Sequence, residues 1–199
     1  MHPIYLYLCL FLFACGNAQS QASKEIGRDT LSIMPQEETP IPLADGFDFP
    51  VGPPNARKYY NAQPFGRNLH LGDDWNGVGG GNTDLGDPVY SVAHGLVVEA
   101  EDFGGGWGKV LRIVHQLDSA GPKVESLYAH LDSMLLGVGD FVERGDQIGT
   151  IGNADGAYWA HLHLEIRSEV GLPLGGGYSQ NTEGYLDPTA YINGHRPKR

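Results

Sequence analysis

Cysteine is nearly absent from this chain. The two that its 199 residues contain, Cys9 and Cys15, both lie in or beside an apolar N-terminal run. Everything beyond them folds without a disulfide and cannot bind metal through thiolate, so metal ligands must be His, Asp or Glu. Positive charge is scarce as well. Thirteen Lys and Arg against 24 Asp and Glu give a formal net charge of −11, which speaks against a nucleic-acid-binding role, since the phosphate backbone calls for a basic surface. The basic tail His195–Arg199 reads as a solvated terminus. Helical periodicity sustained over three turns is missing too, which argues against a helix bundle.

One apolar run stands out. Residues Met1 to Ala14 carry no Lys, Arg, Asp or Glu, and Ile4 to Ala14 are almost wholly apolar. That run is too short to span a bilayer and has the length of a signal-peptide core, although only His2 stands where a positive n-region is usual. Leu12-Phe13-Ala14-Cys15 resembles the lipobox of bacterial lipoproteins, which would make Cys15 the lipidated first residue of an envelope protein anchored in a membrane. Phe13 is bulkier than usual there, and cleavage after Ala18 by an ordinary signal peptidase is the alternative. From residue 15 to 44 the composition turns to Gln, Ser, Glu, Thr and Pro with few large apolar residues, the signature of a flexible tether. The organisation expected is a leader over 1–14, a tether over 15–44 and one folded domain over 45–199.

That domain reads as all-β. Twenty-nine glycines and ten tyrosines punctuate short runs of Val, Ile and Leu, the pattern of many short strands and tight turns in an antiparallel sandwich or barrel with short helices or none. Pro88–Ala93, a His94-Gly95 turn and Leu96–Ala100 suggest a hairpin. Lys109–Val114 and Glu125–Leu131 are further strands, the latter with Ser126, Tyr128 and His130 on one face. Gly139-Asp140 and Gly145-Asp146, echoed by Gly86-Asp87, hint at related halves but are too short to count as a repeat.

The stretch from Trp159 to Arg167 carries the chemistry. Strand alternation puts His161, His163 and Glu165 on one face and Leu162, Leu164 and Ile166 on the other, so one face packs and the other looks into a site. His70-Leu71-Gly72-Asp73-Asp74 adds an imidazole and a carboxylate, with Gly72 expected to let the backbone turn tightly. His130 adds one more imidazole. Two neutral imidazoles and a carboxylate hold Zn²⁺ with a fourth position for water, and two further histidines remain for protons. Glu165 is expected as a support behind the ligands, and Asp73 as a hydrogen-bonding or exposed carboxylate. His94 and His115 have no partner spacing that suggests chemistry.

His70-x-Gly72-x-Asp74, Tyr128-Ala129-His130 and His161-x-His163, in that order, resemble the lysostaphin-type, LytM-like zinc endopeptidases of family M23. The glycine signatures around Gly86, Gly106, Gly139 and Gly145 and the closing Leu186-Asp187-Pro188 fit as well, over roughly 64–192. Local departures are Asp155-Gly156-Ala157-Tyr158-Trp159-Ala160 before His161, where many members have a Ser/Thr-Gly-Pro turn, and Leu164 where Phe is common. The resemblance implies a sandwich and barrel-sandwich hybrid of the lysostaphin kind, one Zn²⁺ held by His70, Asp74 and His163, and His130 with His161 as the catalytic pair. Trp107, Tyr128, Tyr158 and Trp159 are the expected groove residues. Peptidoglycan is the implied substrate, cut at a peptide bond of stem or cross-bridge. A LytM-like domain that binds the wall or activates an amidase is the alternative from another class, and a zinc or copper carrier is a third.

Overall fold

Runs of alternating or wholly apolar residues separated by glycine turns become ten strands in the computed structural model, which describes residues 40–198. The leader, Cys15 and the expected tether up to residue 39 lie outside the described residues. The strands are β1 (Tyr59–Gln63), β2 (Asp73–Gly77), β3 (Pro88–Tyr90), β4 (Gly95–Asp102), β5 (Lys109–Gln116), β6 (Lys123–Met134), β7 (Phe141–Val142), β8 (Gln147–Ile151), β9 (Leu162–Arg167) and β10 (Tyr185–Leu186). One helix, α1 (Pro188–Gly194), follows. Its start explains Leu186-Asp187-Pro188. Asp187 caps it by accepting from the Ala190 amide at 2.9 Å, and Pro188 supplies a fixed φ where no amide is needed.

Every pairing between these strands is antiparallel, in the order β1-β2-β9-β6-β5-β4-β7, with β10 beside β9 and β3 beside β8. β6 is the pivot. Its first half pairs with β5 and β9, its second half with β8, and the change of partner lets the sheet fold over its own apolar side. Leu162, Leu164 and Ile166 of β9 pack there with Leu111, Ile113, Tyr128, Ile148 and Ile151. At the N-terminal edge, Leu43 bridges Gln116 and the buried Ala44 donates its amide to the Gln116 carbonyl at 2.8 Å.

One local expectation is corrected. Pro88–Ala93 and Leu96–Ala100 do not form a hairpin: β3 pairs with β8, and β4 pairs with β5 and β7. The backbone between them is engaged elsewhere, since the Val92 amide donates to the Tyr128 hydroxyl at 2.9 Å and the Ser91 amide to the Asp146 carbonyl at 2.8 Å. Two of the three Gly-Asp units close turns. Asp140 and Asp146 each accept, at 2.8 Å, the amide three residues back, and the glycine before each has a positive φ.

Candidate metal centre and active site

Two strand registers build the site. β2 runs beside β9 with Asp74 opposite His163, and β6 flanks β9 on its other side with Ala129 opposite His163. Ahead of β2, a short 3₁₀ turn at Arg67–Leu69 delivers His70, whose backbone bridges Tyr178. Gly72 is needed here for proximity. Its φ is outside the left-handed region, but a β-carbon would fall 2.4 Å from the Leu164 carbonyl oxygen and 2.9 Å from His163 Cε1.

His70 Nε2, His163 Nδ1 and Asp74 Oδ1 converge. His163 Nδ1 lies 3.0 Å from each of the other two, and His70 Nε2 lies 3.4 Å from Asp74 Oδ1. Ligands of a tetrahedral zinc at ordinary bond lengths stand roughly 3.3 Å apart. The tautomers agree. His70 Nδ1 sits 3.0 Å from the Gln63 carbonyl, which can only accept, so its Nε2 carries the lone pair. His163 Nε2 donates to Glu165 Oε1 at 3.1 Å, leaving Nδ1 for the shared point. The three residues therefore fit a metal ion, and they are the metal-capable group among the described residues. The local field also asks for a cation. Burial alone would depress His163, yet hydrogen bonds and charge from Asp74 and Glu165 raise it to about 9. Asp74 is held below the ordinary carboxylate range, its burial outweighed by His163 and His70.

His130 and His161 stand beside this triangle with ring centroids 4.7 Å apart. His161 Nδ1 donates to the Trp159 carbonyl at 2.7 Å, and its Nε2 is 3.8 Å from Asp74 Oδ1, outside the triangle. His130 Nδ1 faces the Trp107 carbonyl at 3.3 Å. In its neutral form each ring therefore keeps its proton on Nδ1 and its lone pair on Nε2. Burial, reinforced by the nearby His163 and His161, lowers His130 to about 3 and keeps it neutral.

His130 reaches this place through an irregularity. Its φ is +61° and the pairing of β6 with β5 slips between Lys109 and Leu111, a bulge that re-aims one side chain. Tyr128 and His130 therefore do not share a face. Tyr128 is fully buried in the core among Leu162, Leu164 and Leu111. The expectation that Tyr128 lines the groove is corrected: its hydroxyl braces Val92 and meets Ser126 Oγ at 3.0 Å.

A cleft of about 910 Å³ opens over the centre, lined by His70, Asp74, His130, His161 and His163 together with Trp107, Tyr158 and Trp159. Trp159 is 70% exposed, and the backbone behind it is pinned, because Asn82 Oδ1 accepts the Ala160 amide at 2.8 Å and Asn76 Nδ2 donates to the Ala160 carbonyl at 3.2 Å. Asp73 is fully buried and accepts from the Phe65 amide at 2.9 Å and the Thr189 hydroxyl at 2.6 Å. Tyr178, which strand patterning did not single out, also lines the cleft, with its ring 5.1 Å from that of His70. The run Gly175-Gly176-Gly177 before it gave only a loop signal.

An antiparallel sheet that presents two imidazoles and a carboxylate at the floor of an open cleft is the architecture of a metallopeptidase-type domain. The chain belongs to peptidase family M23, whose profile matches residues 74–179. Lipoprotein NlpD of Yersinia enterocolitica is 37% identical over 82 residues, which are 41% of this chain and 78% of that protein. The uncharacterized lipoprotein YgeR of Escherichia coli is 34% identical over 115 residues, 57% of this chain and 38% of that one. Among solved structures, a zinc containing peptidase from Vibrio cholerae matches with a TM-score of 0.50 and 26% identity, over 61% of this chain and 36% of that one. The chain thus spans little more than a third of the latter two.

Proposed function

We propose that this protein is a zinc-dependent endopeptidase of the bacterial envelope that hydrolyses a peptide bond in the stem or cross-bridge of peptidoglycan. The observation that carries the reading is completeness: three lone pairs converge on one point, and two further imidazoles beside it keep Nε2 open. His70, Asp74 and His163 would hold one zinc ion per chain, which supplies Lewis-acid polarisation of a carbonyl and lowers the pKa of water.

The chain's own residues do the rest. As water adds to the scissile carbonyl carbon, Nε2 of one free imidazole takes its proton, and that ring's Nδ1–H stays on the backbone carbonyl that orients it. The same Nε2 then returns the proton to the amide nitrogen as the C–N bond breaks. The second imidazole, when protonated at Nε2, donates to the developing oxyanion. Trp107, Tyr158, Trp159 and Tyr178 wall the cleft and hold an extended peptide across it. The relatives named as lipoproteins, with the lipobox-like Leu12–Cys15, support a lipid anchor at Cys15.

Digestion of purified muropeptides, with products identified by mass, tests the reading. New products that disappear on chelation and return with zinc are expected. Intact muropeptides in the presence of folded, zinc-loaded protein would move the chain to a wall-binding or amidase-activating role.

A further inference from the structure

A line of charged side chains of alternating sign, four of them buried, leads to His163: Glu99, Arg112, Glu125, Arg167 and Glu165. Arg112 Nη1 is 3.1 Å from Glu99 and its Nη2 is 2.7 Å from Glu125 Oε1. Arg167 Nη1 lies 3.6 Å from the same Glu125 oxygen, and its Nη2 is 2.7 Å from Glu165 Oε2. Glu165 ends the line on His163 Nε2 at 3.1 Å. Burying charges in this number is poor value as stabilisation alone, since well-packed apolar residues commonly do as well. What the line touches is more telling.

Its unused donors and acceptors grip one loop, 168–184, closed at its base by the Ser168 amide donating to the Gly184 carbonyl at 2.9 Å. Arg112 Nη2 and Arg167 Nη1 donate to the Leu172 carbonyl at 3.0 and 3.1 Å, and Glu125 Oε2 accepts the Gly171 amide at 3.1 Å. From Gly176 to Tyr178 the loop lines the cleft. The Gly175 carbonyl accepts from Trp107 Nε1 at 3.0 Å. The Leu71 amide then donates to the Gly177 carbonyl, and the Ser179 amide to the Leu69 carbonyl, both at 2.9 Å. Those last two bonds flank His70.

We propose that the Glu99–Arg112–Glu125–Arg167–Glu165 line is a positioning device for the site. One end orients His163 through Glu165, and the middle docks the loop that brings Tyr178 to the wall and fixes the backbone around His70. Its Glu165 arm rests on the zinc reading above; the loop arm does not. Arg112 and Glu125 are positioning residues that touch neither metal nor substrate.

The experiment uses the full mature chain and three readouts: hydrogen–deuterium exchange at the Leu71 and Ser179 amides, zinc affinity by competition with a chelating dye, and muropeptide kinetics. Arg112→Met should speed exchange at both amides by about tenfold or more, with amides in the middle of β6 and β9 unchanged. It should raise KM more than it lowers kcat. Arg112→Lys, which keeps a cation but not the fork, should fall between. Glu165→Gln should weaken zinc about tenfold or more while Ser179 stays protected. If Arg112→Met does not fold, the double variant Arg112→Met, Glu125→Met removes the stranded carboxylate and should show the same local exchange.

Wild-type protection at Leu71 and Ser179 in a folded Arg112 variant overturns the loop arm. A uniform rise across β6 and β9 makes the line merely structural, and unchanged zinc affinity in Glu165→Gln overturns the other arm. If wild-type protein cuts no muropeptide, the proposed function fails while exchange and zinc binding still decide this inference.

Discussion

Replacing His163 and His161 by alanine, one at a time, should break the same site in two different ways although they stand two residues apart on one face. His163 Nδ1 is 3.0 Å from both His70 Nε2 and Asp74 Oδ1, so its loss removes one corner of the triangle. Altering only an outer partner of a metal ligand typically costs 10- to 100-fold in affinity. Loss of the ligand itself should therefore exceed about 100-fold, roughly 2.7 kcal/mol. His161 Nε2 is 3.8 Å from Asp74 Oδ1, and removing it leaves all three corners in place. Zinc should then remain near one per chain while turnover falls about 10²- to 10⁴-fold, or some 3 to 5 kcal/mol of barrier. His130 should behave like His161, and glycine is the better replacement there because its φ is +61°. Zinc by elemental analysis and muropeptide cleavage are measured on the same preparations, with folding checked by circular dichroism. An empty site in His161→Ala beside a full, active one in His163→Ala would refute the division. Wild-type activity in all variants would refute the site itself.

Three further outcomes are expected. His115 is fully buried, donates from Nδ1 to the His94 carbonyl at 2.8 Å, and burial lowers it to about 4. Because the unfolded chain binds a proton near pH 6.5 that the folded one refuses, stability present above that pH is lost as pH falls toward 4. The loss is about 3 kcal/mol, and it should shrink in His115→Gln when urea midpoints at pH 7 and pH 4.5 are compared; an identical slope would count against the assignment. Tyr128→Phe strands the buried Val92 amide and should cost about 1 to 3 kcal/mol in denaturant melts. Zinc content and turnover should stay within about twofold, and a large loss of turnover with zinc retained would overturn a purely structural role for Tyr128. Wild-type protein should partition with membranes and begin at a diacylated Cys15, two chains being enough for stable anchoring, whereas Cys15→Ala should not; mature protein starting at Gln19 in the soluble fraction would overturn the anchor.

The legible part of the site was the part governed by strand alternation. His161, His163 and Glu165 share a face because a two-residue period holds through β9, and the same period sends Leu162, Leu164 and Ile166 to the core. The same rule misplaced Tyr128. A bulge depends on the partner strand, and nothing local in Tyr128-Ala129-His130 announces that His130 turns back to the side of Ala129. The hairpin at His94-Gly95 failed likewise, because its local turn signal competed with a distant hydroxyl and a distant carbonyl for the same amides. Glu165 was legible as a support, but the line beyond it was not. Glu125, Arg112 and Glu99 come from three strands whose side-by-side order only the sheet reveals.

The two free imidazoles are each anchored to the main-chain carbonyl of a tryptophan, His130 to Trp107 and His161 to Trp159, and both indoles face the cleft. A carbonyl survives any side-chain exchange. Under the function proposed above, the side chain at 159 can therefore drift, or be randomised, while the His161 tautomer stays fixed; at 107 the indole also holds the Gly175 carbonyl at 3.0 Å, so exchange there moves the loop as well. On that reading selectivity and chemistry can be inherited separately at 159, which makes that position the natural place to diversify this domain.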